Sequence, residues 1–220
     1  LGEKEESVFV FGSPDLDIMY SDTLPNMDEV KDKYGIPFET FSILMYHPVT
    51  TEVELLPAHI HSVIEAILKS EQNYVVIYPN NDSGTDIILN ELKRLEGNKK
   101  FRILPSMRFE FFLSLLKNAQ FIMGNSSSGI REAGVYSIPA IDIGNRQAGR
   151  YLPNENKHII HVDENINDIR EAIKQVGKMH IEPSFEFGIG NSTEVFREII
   201  TDESIWKKQI QKRFVDILNE

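Results

Sequence analysis

The chain has 220 residues, of which 41% are apolar and 26% charged, a globular balance that excludes a disordered chain. Its 34 Asp and Glu against 23 Lys and Arg leave a formal charge of −11, which argues against nucleic acid or an anionic membrane surface as a partner. Cysteine is absent, so a disulfide framework, a thiolate zinc site and a cysteine nucleophile are excluded, and no apolar run approaches the ~18 residues of a membrane span.

The opening string Leu1-Gly2-Glu3-Lys4-Glu5-Glu6 has no initiator Met, no basic region and no apolar stretch, so it is not a signal peptide and reads as the interior of a longer chain. Val8-Phe9-Val10-Phe11 is the first predicted strand. Residues 21–39 carry Pro25, Asn26, Gly35 and Pro37 and read as a connection with a short helix near 27–34. Further strands are predicted at 42–46, 74–78, 101–104, 121–123, 140–143 and 158–162. These runs are continuously apolar rather than alternating, as in strands buried on both faces.

Between them, Ile60, Val63, Ile64, Ile67 and Leu68 have helical spacing, and Ile87, Leu89, Leu92 and Leu95 have it more loosely. Phe109, Phe112, Leu113 and Leu116 form a third stripe, and Ile166, Ile169, Ile173 and Val176 a fourth. Alternation of strand and helix predicts an α/β fold with a mainly parallel sheet. Gly188-Ile189-Gly190-Asn191-Ser192 reads as a loop with Asn191 or Ser192 as helix cap. After it, Val195, Ile199 and Ile200, then Ile205, Trp206, Ile210, Phe214 and Ile217 predict two terminal helices whose apolar faces need a cover.

Open α/β sheets bind ligands at the carboxyl ends of their strands. There the sequence places His47-Pro48-Val49-Thr50-Thr51, Pro79-Asn80-Asn81-Asp82-Ser83-Gly84, Gly124-Asn125-Ser126-Ser127-Ser128-Gly129-Ile130-Arg131-Glu132-Ala133 and Gly144-Asn145-Arg146-Gln147-Ala148-Gly149-Arg150. The third string joins small residues, three hydroxyls and the start of a predicted helix, a combination suited to phosphate. It is not a Walker A loop, because no Lys precedes the serines, and it reads equally as a serine-rich helix cap. Glu132 in the first turns of that helix either complements its dipole or accepts two ribose hydroxyls.

Arg146 and Arg150 are either solvated surface charges or the cationic side of a phosphate clamp. His47 is either a packed histidine or a group for proton transfer or phosphate contact. The other five histidines lack metal-ligand spacing, so no metal site is expected. Asp15 and Asp17 read as loop or cap residues.

Taken together, the His-Pro-Val-Thr-Thr, Pro-Asn, Gly-Asn-Ser-Ser-Ser-Gly-Ile-Arg-Glu and Ile-Gly-Asn-Arg-Gln-Ala-Gly-Arg strings, in this order and spacing, resemble the hydrolysing UDP-N-acetylglucosamine 2-epimerases of sialic-acid-type sugar pathways. The likeness runs from about Gly12 to about Asn191. It implies the C-terminal, UDP-binding, Rossmann-like three-layer domain of a GT-B-like pair. Residues 1–194 would form that domain, with 1–20 as hinge and first strand. Residues 195–220 would be helices returning to an N-terminal domain. The implied reaction eliminates UDP from UDP-N-acetylglucosamine and hydrates the resulting 2-acetamidoglucal to N-acetylmannosamine.

By that resemblance, Ser126, Ser127 and Arg146 would hold the diphosphate and Glu132 the ribose. The backbone at Met107 would meet uracil. His47, as the catalytic candidate, would sit near the phosphates and the reacting sugar, with Asn80 lining the nucleotide site. The resemblance implies no cofactor, a cytoplasmic location and a homodimer or homotetramer at full length. It also implies that the family's proton-transferring carboxylates lie in the N-terminal domain, leaving these residues inactive alone. Asp86 stands where the animal enzyme has a feedback-related Lys, so that regulation is not implied. A GT-B glycosyltransferase shares the nucleotide pocket, but many of those carry a second Glu eight positions on, where this chain has Ala140. A non-catalytic nucleotide-binding module is the remaining reading.

Overall fold

The computed structural model describes residues 2–152, 156–208, 211, 214 and 215, which cluster into two compact units. The larger, Leu24–Ser184, is built on six strands: β1 (Ser42–Met45), β2 (Tyr74–Ile77), β3 (Phe101–Leu104), β4 (Ile122–Gly124), β5 (Ala140–Ile143) and β6 (Ile159–Val162). All pairs are parallel, and the order is β3-β2-β1-β4-β5-β6. The predicted α/β fold is therefore present, and the strand order is that of a doubly wound sheet reversing between β1 and β4. Its inner strands are buried on both sides, which is why they read as unbroken apolar runs.

The α-helices among the described residues are α1 (Pro14–Met19), α2 (Met27–Tyr34), α3 (Leu56–Leu68), α4 (Thr85–Leu92), α5 (Phe109–Lys117), α6 (Glu132–Val135), α7 (Ile166–Val176), α8 (Ser192–Thr201) and α9 (Glu203–Trp206). One layer packs α4 and α7 on either side of α3, and the other packs α2 and α6 against α5. Ile60, Val63, Ile64 and Ile67 of α3 join Ile169, Ala172, Ile173 and Val176 of α7 over Leu44, Val76 and Ile141 of the sheet. In α4 the most buried side chains are Ile88, Leu92 and the following Leu95; Ile87 and Leu89 of the expected stripe are partly buried and pack against the same core, which adds Ile88 to the looser pattern. α2 starts with a capping box, in which Asn26 Oδ1 accepts from Glu29 N–H at 3.0 Å and Glu29 accepts from Asn26 N–H at 2.8 Å.

The smaller unit comprises residues up to Thr23 and those from Phe185 onward. The strand expected at 8–11 does not form: these residues pair with no ladder, and Val10 is 89% exposed. A β-branched run acquires strand structure only from a neighbour to pair and pack with, and this unit has no strand among its described residues. The α8 terminus also departs from expectation. Asn191 occupies the cap position without a side-chain bond. Instead the Asp17 carboxylate, far away in sequence, accepts from Ser192 N–H at 2.9 Å, Thr193 N–H at 2.8 Å and the Thr193 hydroxyl at 2.6 Å. The second terminal helix is a single turn among the described residues. Phe214 follows it outside any helix, and Ile210 and Ile217 lie outside the described residues. Phe196, Ile200, Trp206 and Phe214 keep exposed faces in this unit.

Candidate functional site

The site is built where the sheet order reverses. β1 and β4 end side by side with Met45 opposite Gly124. Gly124 has φ +124°, and a Cβ there would collide with the Met45 carbonyl, so only glycine lets the strands close this tightly. The next residue, Asn125, is 0% exposed. Its Oδ1 accepts from His47 N–H at 2.7 Å, and its Nδ2 donates to the His47 carbonyl at 2.9 Å. Its own carbonyl receives Arg146 Nη1 at 3.1 Å and Gln147 Nε2 at 2.8 Å. The loops after β1, β4 and β5 thus meet on one residue.

His47 Nδ1 accepts from Asn80 N–H at 3.1 Å, which brings in the loop after β2. An N–H aimed at Nδ1 requires a lone pair there, so the neutral ring carries its proton on Nε2. Burial and then the Arg146 guanidinium push the His47 pKa down to about 4, against a smaller upward pull from Asp82. The imidazole is therefore a neutral N–H donor at pH 7. Arg146 is lowered from its ordinary value by burial and then by Arg150, with Asp82 opposing; so high a starting value leaves it cationic. Asn80 bonds to Asp82 through its side chain, and the Thr85 hydroxyl caps the loop on the Asn80 and Asp82 carbonyls at 2.5 and 2.7 Å.

An open cleft of about 450 Å³ is lined by Pro48, Thr50, Thr51, Asp82, Asn145 and Arg146 among others, so Arg146 and Asp82 of these groups reach its wall and His47 precedes it in the chain. Its Arg146 side is anchored at both ends. Gly144 sits at φ +76°, a conformation that favours glycine, with the Glu164 carboxylate against its Cα. The Tyr151 hydroxyl donates to buried Asp142 at 2.8 Å, and His161 Nδ1 lies 3.1 Å from the same oxygen. Burial raises the Asp142 pKa, with the Tyr151 and His161 contacts opposing.

The serine loop corrects one expectation. It continues not into a long helix but into a 3₁₀ turn at Ser127–Gly129 and then the four-residue α6. Aligned peptide dipoles add along a helix, so one turn supplies little of the field expected from the sequence. Hydroxyl groups and individual backbone donors remain. Ser126 Oγ itself accepts from Ser128 N–H at 3.3 Å, and Ser127 is half-buried beside it. Glu132 is buried at the first position of α6.

Of the residues singled out, His47, Asn80 and Arg146 are joined through direct contacts or through Asn125, and Ser126 follows Asn125 in the chain. Met107 stands half-buried after β3, two strands from β1. Asn125 and Gln147 stand inside the polar strings at the strand ends, but the sequence assigns neither a role. A small polar residue after a strand carries no mark of being a junction, because that property belongs to the three loops it joins.

Residues 1–201 match the family model described as UDP-N-acetylglucosamine 2-epimerase. The chain belongs to that family. It is 47% identical over 221 residues to the UDP-N-acetylglucosamine 2-epimerase of Neisseria meningitidis serogroup B, covering 99% of this chain and 58% of the relative. It is 30% identical over 196 residues to the UDP-N,N'-diacetylbacillosamine 2-epimerase (hydrolyzing) of Legionella pneumophila, covering 88% of this chain and 51% of the relative. The chain thus spans a little over half the length of these relatives. Its fold matches the crystal structure of the Methanocaldococcus jannaschii UDP-GlcNAc 2-epimerase in complex with UDP-GlcNAc and UDP, with a TM-score of 0.70 at 21% identity, over 91% of this chain and 56% of that one. The likeness to the epimerase family expected from the sequence strings is therefore correct, as is the α/β fold. No helix among the described residues is long and apolar enough to cross a membrane.

Proposed function

We propose that this chain is the C-terminal UDP-binding half of a hydrolysing UDP-N-acetylglucosamine 2-epimerase, or of one acting on a related UDP-amino sugar. The observation carrying the proposal is the convergence of His47 and Arg146 on Asn125 at the reversal of the sheet. The activities of the Neisseria and Legionella relatives support the substrate class and, for the latter, the hydrolysing type.

In the proposed reaction the C1–O bond of UDP-N-acetylglucosamine breaks as the C2 proton leaves, giving UDP and 2-acetamidoglucal. Addition of water, with OH to C1 and H to C2, gives N-acetylmannosamine. Negative charge grows on the departing diphosphate. Arg146 meets it with a fixed positive charge and His47 with its Nε2–H, aided by the Ser126 and Ser127 hydroxyls. Donors held in place before the reaction stabilise such charge without reorganising. Glu132 takes the ribose hydroxyls, the Met107 backbone takes uracil, and Asn80 completes the nucleotide wall. The carboxylates that move protons at the sugar come from an N-terminal domain, on which the helices from residue 195 onward pack. The whole protein works in the cytoplasm as a homodimer or homotetramer, with no cofactor.

Calorimetric titration of the full-length protein with UDP tests the assignment. Arg146→Ala should weaken binding by about 10- to 100-fold, the size expected for one charge-assisted contact. Unchanged affinity removes Arg146 from the diphosphate site. Assay of the unaltered protein should yield free N-acetylmannosamine; transfer of the sugar to an acceptor would instead indicate a glycosyltransferase.

A further inference from the structure

We propose that Asn125 is a positioning residue, which holds His47 and Arg146 in the one relative geometry that a nucleoside diphosphate requires. This rests on the functional reading above only for the ligand; the mechanical part stands on the fold. The β1–β4 ladder ends at Met45 and Gly124, and Asn125 N–H still reaches the Met45 carbonyl at 3.1 Å. Beyond that point the two chains turn into separate loops. There the Asn125 carboxamide stands in for a missing peptide group, accepting from one His47 backbone group and donating to the other.

Among ordinary side chains of this length, only a carboxamide supplies one donor and one acceptor side by side at neutral pH. The main-chain carbonyl of the same residue spends both lone pairs on Arg146 and Gln147. Being fully buried, Asn125 cannot itself touch a ligand in the cleft. It acts through the groups it holds, and networks of this kind in a low-dielectric interior lose more than a single bond when one member fails.

Asn125→Asp provides the discriminating variant. A protonated carboxyl reproduces the carboxamide, one oxygen accepting and the other donating, whereas an ionised one sets an acceptor against the His47 carbonyl. Burial raises the pKa of such a group, which brings the change into an accessible range. The ratio of variant to parent Kd for UDP should lie near unity at pH 5 and rise to roughly 10-fold or more by pH 8. In a His47→Gln background the same pH dependence should shrink, because the two sites are coupled. A ratio that stays near unity up to pH 8 overturns the proposal; a ratio already raised at pH 5 supports it, the Arg146 guanidinium beside residue 125 then keeping the carboxylate ionised throughout.

If the unaltered full-length protein binds no UDP at all, the functional reading fails and the positioning is read without ligand. Nitrogen-15 spectra of the His47 ring should then show a fixed Nε2–H tautomer in the parent and an averaged one in Asn125→Ala. An unchanged tautomer in a variant that still melts cooperatively overturns the positioning role. Should Asn125→Ala not fold, the same spectrum of Asn125→Asp, which should lose the fixed tautomer between pH 5 and pH 8, decides the matter in its place.

Discussion

A neutral His47 beside a charged Arg146 is a consequence of crowding two basic groups into a partly buried place. Burial disfavours the imidazolium first, and the guanidinium adds to it, so the ring titrates at about 4 instead of 6.5. Since the folded-state value is the lower, the associated stability is fully present above about pH 6.5. It is lost as the pH falls through 4, where the unfolded chain binds the proton more readily. His47→Gln should therefore blunt the loss of thermal stability between pH 6.5 and 4 by about 1–2 kcal/mol, allowing for solvent screening of a half-buried group. A nuclear magnetic resonance titration of the ring with a midpoint at or above 6.5 would contradict this account.

At the scale of elements, short helices are fixed by side chains reaching in from elsewhere. α8 begins without a cap of its own and borrows the Asp17 carboxylate of α1. Burial pushes the Asp17 pKa up, but the bonds from Thr193 and Ser192 outweigh it and hold the group at about 2, below its ordinary 3.8. This depressed value means the contribution is intact above pH 3.8 and disappears as the pH drops through 2. Asp17→Ala should cost about 1–2 kcal/mol at pH 7, the usual range for a lost helix cap, and much less at pH 2. Thermal melts at the two pH values check it. Equal destabilisation at both would mean that packing, not the carboxylate, is what Asp17 supplies.

Across the whole molecule, a formal charge of −11 opposes the approach of an anionic nucleotide, while Arg146 and Arg150 favour it only at short range. A Debye length of about 10 Å at 0.1 M salt screens the distant repulsion before the close contacts. The association rate of UDP measured by stopped flow should therefore rise as salt increases from about 10 to 150 mM, the reverse of steered binding to a basic surface. A rate that falls over that range would place the controlling charge at the cleft itself. The exposed Phe196, Trp206 and Phe214 are the opposite feature, apolar surface in the same unit that exposes Val10, Phe185 and Ile189.

The amino-acid order determined the α/β class, because strands buried on both faces must be written as continuous apolar runs and the intervening helices as amphipathic ones. It also determined which loops carry polar groups at strand ends, and so the family likeness, since those strings are local. It could not determine that Val8–Val10 would lack a strand partner, that the serine loop would lead into one helical turn, or that Asp17 would cap α8. Each depends on what lies opposite in space. The same holds for Asn125, whose role exists only because the sheet reverses beside it and brings His47, Arg146 and Gln147 within hydrogen-bonding reach of one buried amide.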